Sequence, residues 1–131
     1  MEFTREELTK NNIYYLSTLP DELEFKFSNL KVKFVHKNPY EDESDIEEDI
    51  LVCGYDHVCL ENKISKNKYI VNPGSLGKPS YSNEFVILDI SESVYNFKIF
   101  NVDYSFPKIQ KDMKMMNFPE ILINSYEKNV D

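Results

Sequence analysis

Glycine is scarce in this chain: three in 131 residues, and all three fall in two short turns. Gly54 opens Gly54-Tyr55-Asp56-His57, while Gly74 and Gly77 lie within Asn72-Pro73-Gly74-Ser75-Leu76-Gly77-Lys78-Pro79. A chain that economises on glycine elsewhere needs unusual backbone angles at these places. Basic residues are outnumbered, 15 Lys and Arg against 23 Asp and Glu, for a formal charge of −8. That deficit argues against non-specific binding to nucleic acid or to an anionic membrane, since both depend on basic surface. Long apolar runs are missing, and no stretch approaches the ~20 residues of a membrane span. A signal-peptide pattern is missing too, because Met1-Glu2-Phe3-Thr4-Arg5-Glu6-Glu7 is acidic. The two cysteines, Cys53 and Cys59, do not form a Cys-x-x-Cys pair. They are expected to be buried reduced thiols, in keeping with a cytoplasmic protein. No internal repeat or linker interrupts the sequence, so residues 1–131 are expected to form one domain.

What is present points to a folded α+β domain. The hydrophobic share of 41% is too high for a disordered chain. A chain of this length buries roughly two-thirds of the surface that its unfolded form exposes. Thr4 with Glu7 reads as a capping box, followed by a stripe of Leu8, Tyr15, Leu16 and Leu19 up to Pro20. Leu23 to Phe27 and Leu30 to Phe34 alternate apolar and polar, and Ser28-Asn29 between them predicts a hairpin turn. Ile50 to Cys53, Val58 to Ile64, Tyr69 to Val71, Phe85 to Ile90 and Val94 to Val102 are also strand-like. Ser65-Lys66-Asn67-Lys68 and Ser91-Glu92-Ser93 read as connections among the later strands. A last helical stretch runs from Pro107 to Tyr126 with a pause at Phe118-Pro119, and Ile109, Met113, Met116, Ile121 and Leu122 are its predicted inward residues. Its Met-rich stripe suits core filling better than a binding surface.

The run Glu-Asp-Glu-Ser-Asp-Ile-Glu-Glu-Asp over residues 41–49 is the one strong charge block. It lacks the ligand spacing and the bend glycine of a calcium loop. It therefore reads as a solvated crossover returning the chain to Ile50. The pattern as a whole predicts a mostly antiparallel sheet, with Ile50 to Cys53 added in parallel.

Each glycine turn follows a short apolar run, the place where strand ends feed the loops that build sites in α/β proteins. The order Val35-His36-Lys37, then Gly54-Tyr55-Asp56-His57, then Asn72-Pro73-Gly74-Ser75 resembles the C-terminal half of a calcineurin-like metallophosphoesterase of the small bacterial and archaeal phosphodiesterase type. There a strand ends in His-Gly, a second in Gly-His-x-His, and an Asn-Pro-Gly-Ser turn follows. The closing Asn101-Val102-Asp103-Tyr104 and Asn117-Phe118-Pro119-Glu120 also look like that family's last segment. The resemblance implies one half of a four-layer sandwich, with a mixed or mostly antiparallel sheet flanked by N- and C-terminal helices.

Such enzymes hydrolyse phosphate esters with two divalent cations that neutralise charge and generate a hydroxide nucleophile. The resemblance gives His36 to one metal and His57 to the other. Tyr55 stands where the family has the first histidine of Gly-His-x-His, and Lys37 where it has glycine. A phenol with a pKa near 10 is a poor ligand for a divalent cation near neutral pH. The family's Asp-x-His, Gly-Asp-x-x-Asp and Gly-Asn-His motifs occur nowhere in this sequence. One imidazole per cation holds a metal weakly, since catalytic sites usually have three protein ligands. If His36, Asp56 and His57 converge, one weak Mn, Ni, Fe or Zn site is expected; otherwise they are ordinary polar loop residues. Asn72, Gly74 and Ser75, with Gly54 and Tyr55, are expected to line the site. The Asn-Pro-Gly turn also has a purely structural reading as scaffold.

Two functions follow from these residues. The first is a truncated relative, without phosphoesterase activity of its own, that persists as a self-associating or partner-binding domain. The second is half of a split phosphodiesterase, active when a separate chain supplies the missing motifs. A third reading takes the sequence as a piece of a longer protein. A homodimer is expected in the first case, because the apolar runs Ile50 to Cys53 and Phe85 to Leu88 predict strands buried on both faces. The two helical stretches, residues 5–18 and 108–126, can cover only one face of such a sheet.

Overall fold

The computed structural model describes residues 2–77, 83–91 and 94–126. Two short helices, α1 (Glu2–Glu7) and α2 (Lys10–Ser17), precede seven strands: β1 (Glu22–Phe27), β2 (Leu30–Val35), β3 (Ile50–Cys53), β4 (Cys59–Ser65), β5 (Lys68–Pro73), β6 (Glu84–Ser91) and β7 (Val94–Asn101). Helices α3 (Phe106–Met115) and α4 (Glu120–Asn124) close the chain. Five strands form a mixed sheet in the order β1-β2-β3-β5-β4, and β6 with β7 forms a separate hairpin. The hairpin connection expected at Glu92-Ser93 lies outside the described residues. None of the described helices is long and apolar enough to cross a membrane.

The centre of the sheet is parallel, with β2 beside β3 and β3 beside β5. Parallel neighbours cannot be joined by a tight turn and need a crossover. Residues 36–49 provide it between β2 and β3. Asp49 fixes the register: its N–H donates to the Lys31 carbonyl at 3.0 Å, and its carboxylate accepts from the Lys31 N–H at 2.8 Å. Its own carbonyl then accepts from the Tyr69 N–H of β5 at 2.9 Å.

The two faces of the sheet are covered differently. Val32, Ile50 and Val71 form a buried cluster, and Val86, Leu88, Ile90, Tyr95 and Phe97 of the hairpin pack on it. Strand alternation sends Leu51 and Cys53 to the opposite face. There the crossover lies down: Asn62 of β4 donates to Glu43 at 3.2 Å, and the Lys68 ammonium of β5 donates to the Ile46 carbonyl. Ile46 is 0% exposed and Glu48 1%. The charge run is thus only partly solvated, because alternate residues turn inward. Glu48 accepts from the Tyr40 hydroxyl at 3.0 and 2.9 Å and lies 3.5 Å from the Lys31 ammonium and 4.0 Å from Lys33. Those partners make its burial tolerable.

Several expectations change. The first helix is broken at Leu8-Thr9, where Thr9 accepts from the Asn12 N–H at 3.2 Å and caps α2. Thr4, the expected cap, lies inside α1. No residue of α2 is buried, so this helix does not cover the sheet. In the C-terminal helices Phe106 and Ile123 are the buried residues, whereas Met116 and Ile121 are exposed. Ile50 to Cys53 is enclosed on both faces, but β6 is not, since Ile87 points outward and is exposed. The chain's own crossover and hairpin therefore cover the middle of the sheet, and apolar side chains are left open toward its outer strands: Leu23, Phe25, Phe27 and Phe34 at β1 and β2, and Leu60 at β4.

Burial raises the Glu48 pKa, but backbone and Tyr40 hydrogen bonds and the two lysines outweigh it and hold the carboxyl below its usual range. The ionised form stabilises the fold above the ordinary Glu pKa of about 4.3, and that stability is lost as pH falls through the folded value. Glu48→Gln is expected to lower stability by about 2 kcal/mol near neutral pH and to flatten the acid limb. Urea unfolding between about pH 3 and pH 7 checks both; an unchanged acid limb would assign the titration to another group.

Candidate functional site

Three parallel strands, β2, β3 and β5, end at the same edge of the sheet, where open sheets present their loops. Val35 of β2 is paired with Cys53 of β3, so His36 and Gly54 leave the two strands side by side. The Gly54 N–H donates to the His36 carbonyl at 3.1 Å. This bond extends the pairing one step and brings the next side chains together. The His36 and Tyr55 rings meet edge to face, with centroids 5.5 Å apart and an interplanar angle of 74°. The Lys37 ammonium lies 5.1 Å from the Tyr55 ring centroid, within cation–π range. Lys37 was legible in the sequence only as a departure from glycine; its position against Tyr55 depends on the paired strand ends.

The third strand end adds a preformed turn. Asn72 is 4% exposed, and its side-chain oxygen accepts from the Gly74 N–H at 3.0 Å. Gly74 has φ of 82°, the left-handed conformation that favours glycine. The scaffold role of Asn72 and Gly74 is thus visible in the geometry, and Ser75 follows, half-buried. At the β3 turn His57 also has a positive φ, 60°, and is half-buried, while Asp56 is exposed.

The metal-ligand inventory is thin. Among the described residues no three His, Cys, Asp or Glu side chains gather closely enough to hold a metal ion. His36, Asp56 and His57 are therefore not drawn into one three-donor site, and the arrangement brings His36 to Tyr55 instead. This donor set does not fit a centre of two divalent cations, which needs several carboxylate, imidazole and amide ligands. The cysteines do not extend it. Both are free thiols, and Cys59, opposite Pro73, shares the hairpin side of the sheet, whereas Cys53 faces the crossover. Burial, aided by Asp56, raises the Cys53 pKa; burial, aided by Glu84, raises that of Cys59. Neither thiol is activated as a nucleophile.

Residues 7–93 match the family model of the calcineurin-like phosphoesterase superfamily domain. An uncharacterized protein of Methanocaldococcus jannaschii is 24% identical over 92% of this chain and 60% of its own length. A hypothetical protein of Pyrococcus horikoshii superposes with a TM-score of 0.75 and 22% identity, covering 96% of this chain and 57% of that one. A metallophosphoesterase of Sphaerobacter thermophilus superposes with a TM-score of 0.70 and 18% identity, covering 95% of this chain and 65% of that one. The chain thus spans about three-fifths of the length of these relatives.

The His36–Tyr55 contact makes a direct substitution informative. Tyr55→His would set a second imidazole beside the first at one strand edge. Zinc affinity measured by titration calorimetry is expected to rise by roughly tenfold or more, and to fall back in Tyr55→His combined with His36→Ala. No gain would mean that the two positions do not face a common ion.

Proposed function

Because the chain belongs to the calcineurin-like phosphoesterase superfamily, we propose that it is a metallophosphoesterase-type half-domain that does not hydrolyse phosphate esters on its own. The observation that carries this reading is the Tyr55 phenol against His36, in a site where no three metal donors gather among the described residues. A hydroxide nucleophile for phosphoester hydrolysis requires cations held by several ligands. No Asp-x-His, Gly-Asp or Gly-Asn-His sequence is present to add them. A divalent transition metal is then held weakly at a single site, by His57 with help from Asp56 or His36. Asn72, Gly74 and Ser75 line the same edge as scaffold. The protein is cytoplasmic in this reading, with reduced thiols, and its role is that of a folded interaction domain.

A second reading is favoured by one feature: both histidines of the chain stand at the family's ligand positions, His36 and His57. In that case the chain is one half of a phosphodiesterase or phosphatase, and a separate polypeptide carries the remaining ligands. Its discriminating partner is a chain bearing Asp-x-His, Gly-Asp-x-x-Asp and Gly-Asn-His.

Assays with bis-p-nitrophenyl phosphate and manganese, nickel, iron or zinc separate these readings. The purified chain alone is expected to show no metal-dependent turnover. Turnover by the chain alone that is abolished by His57→Ala would falsify the proposal. Turnover that appears only on adding a polypeptide with the three missing motifs would establish the second reading.

A further inference from the structure

Strand β1 is an outer strand of the five-stranded sheet, and all six of its residues are exposed. Leu23, Phe25 and Phe27 retain 47%, 45% and 43% of their accessible surface. They lie on one face, where Phe25 meets Phe27 and Phe34 at centroid distances of 6.0 and 5.8 Å. Exposed edges are normally blunted by charged side chains, lysine above all, by proline, or by a bulge, and of these β1 has only charges, Glu22, Glu24 and Lys26, of both signs. This strand has no proline, and its pairing with β2 runs from Glu22↔Val35 to Phe27↔Leu30 without a shift. The two-residue loop Ser28-Asn29 makes Phe27–Leu30 the closing hydrogen-bonded pair. By alternation, Leu23, Phe25 and Phe27 turn their backbone groups toward β2. Those of Glu22, Glu24 and Lys26 point to the open edge.

We propose that this edge is covered by β1 of a second copy of the chain, antiparallel, with the two-fold axis at Phe25. The strand is complementary to itself in that register. Glu24 then faces the partner's Lys26 and Lys26 the partner's Glu24, as the hydrogen-bonded pairs formed by the outward backbone groups. On the other face Phe25 meets the partner's Phe25, and Leu23 meets the partner's Phe27. These are non-hydrogen-bonded pairs, in which side chains come closest. An axis at Glu24 sets two carboxylates opposite each other, and an axis at Lys26 sets two ammonium groups opposite, both unfavourable. A shift by one residue opposes the apolar face to the charged one. The Glu24 carboxylate also keeps its intrachain partner, the Lys33 ammonium at 3.4 Å, so its charge is shared between both sides of the strand. The contact is isologous and closes as a dimer.

Light scattering at micromolar concentration is expected to give a mass near twice 15.5 kDa. Lys26→Glu places like charges opposite at two positions and is expected to weaken the dimer by about tenfold or more. The substituted side chain is exposed, and circular dichroism checks that the variant is folded. Phe25→Cys places two sulfurs across the axis within disulfide reach. It is expected to cross-link on mild oxidation, whereas Ser28→Cys, distant from its own copy, is not. A monomer at that concentration, a dimer indifferent to Lys26→Glu, or equal cross-linking at both cysteine positions would each overturn the proposal.

Discussion

The register lock between Asp49 and Lys31 is the constraint on which the rest of the molecule depends. Backbone and side chain of Asp49 together take both main-chain groups of Lys31, and the Asp49 carbonyl takes the Tyr69 N–H. One residue therefore aligns β2, β3 and β5 just before β3 begins. Parallel pairing offers no tight turn that could set this alignment locally. The crossover must do it, and Ile46, Glu48 and the Tyr40 hydroxyl pin that segment to the sheet. Three strand ends consequently arrive at one edge. Without that coincidence His36, Tyr55 and the Asn72 turn would have no reason to be neighbours.

What the edge carries differs chemically from a dinuclear hydrolytic centre. The chain belongs to the calcineurin-like phosphoesterase superfamily, and at this edge an aromatic ring and an ammonium group stand beside His36. Lys37 over Tyr55 places a positive charge on the phenol face, near the imidazole of His36. Such a cation cannot activate water as a divalent metal does, because an ammonium is not a Lewis acid. Positive φ at His57 and Gly74 gives each of these loops a left-handed turn position.

Much of the fold was legible in the sequence. Alternation identified β1 and β2, Ser28-Asn29 identified their turn, and the apolar run Ile50 to Cys53 identified a strand enclosed on both sides. The parallel placement of β3 beside β2 also followed from the charged crossover, although its second parallel contact, with β5, did not. The helices were read less well. An apolar stripe at Tyr15, Leu16 and Leu19 predicts burial, yet all three are exposed, because periodicity records a face without saying what covers it. Thr9 displaced Thr4 as cap because its hydroxyl has a helix start at Lys10 to serve. Glu48 escaped notice because a run of like charge suggests solvent, and its burial depends on Tyr40, Lys31 and Lys33 converging from elsewhere. At the site, the order of the motifs placed the residues on the right strand ends. Which side chains touch, His36 with Tyr55 and Tyr55 with Lys37, required the register.

The central claim is that the two imidazoles of this chain do not share a tightly held metal. Since His36 and His57 are the only histidines, their ring protons can be followed separately by NMR during a zinc titration. The expected result is one weak response led by the His57 ring, with a midpoint well above the protein concentration. Joint, saturating shifts of both rings at stoichiometric zinc would contradict the account.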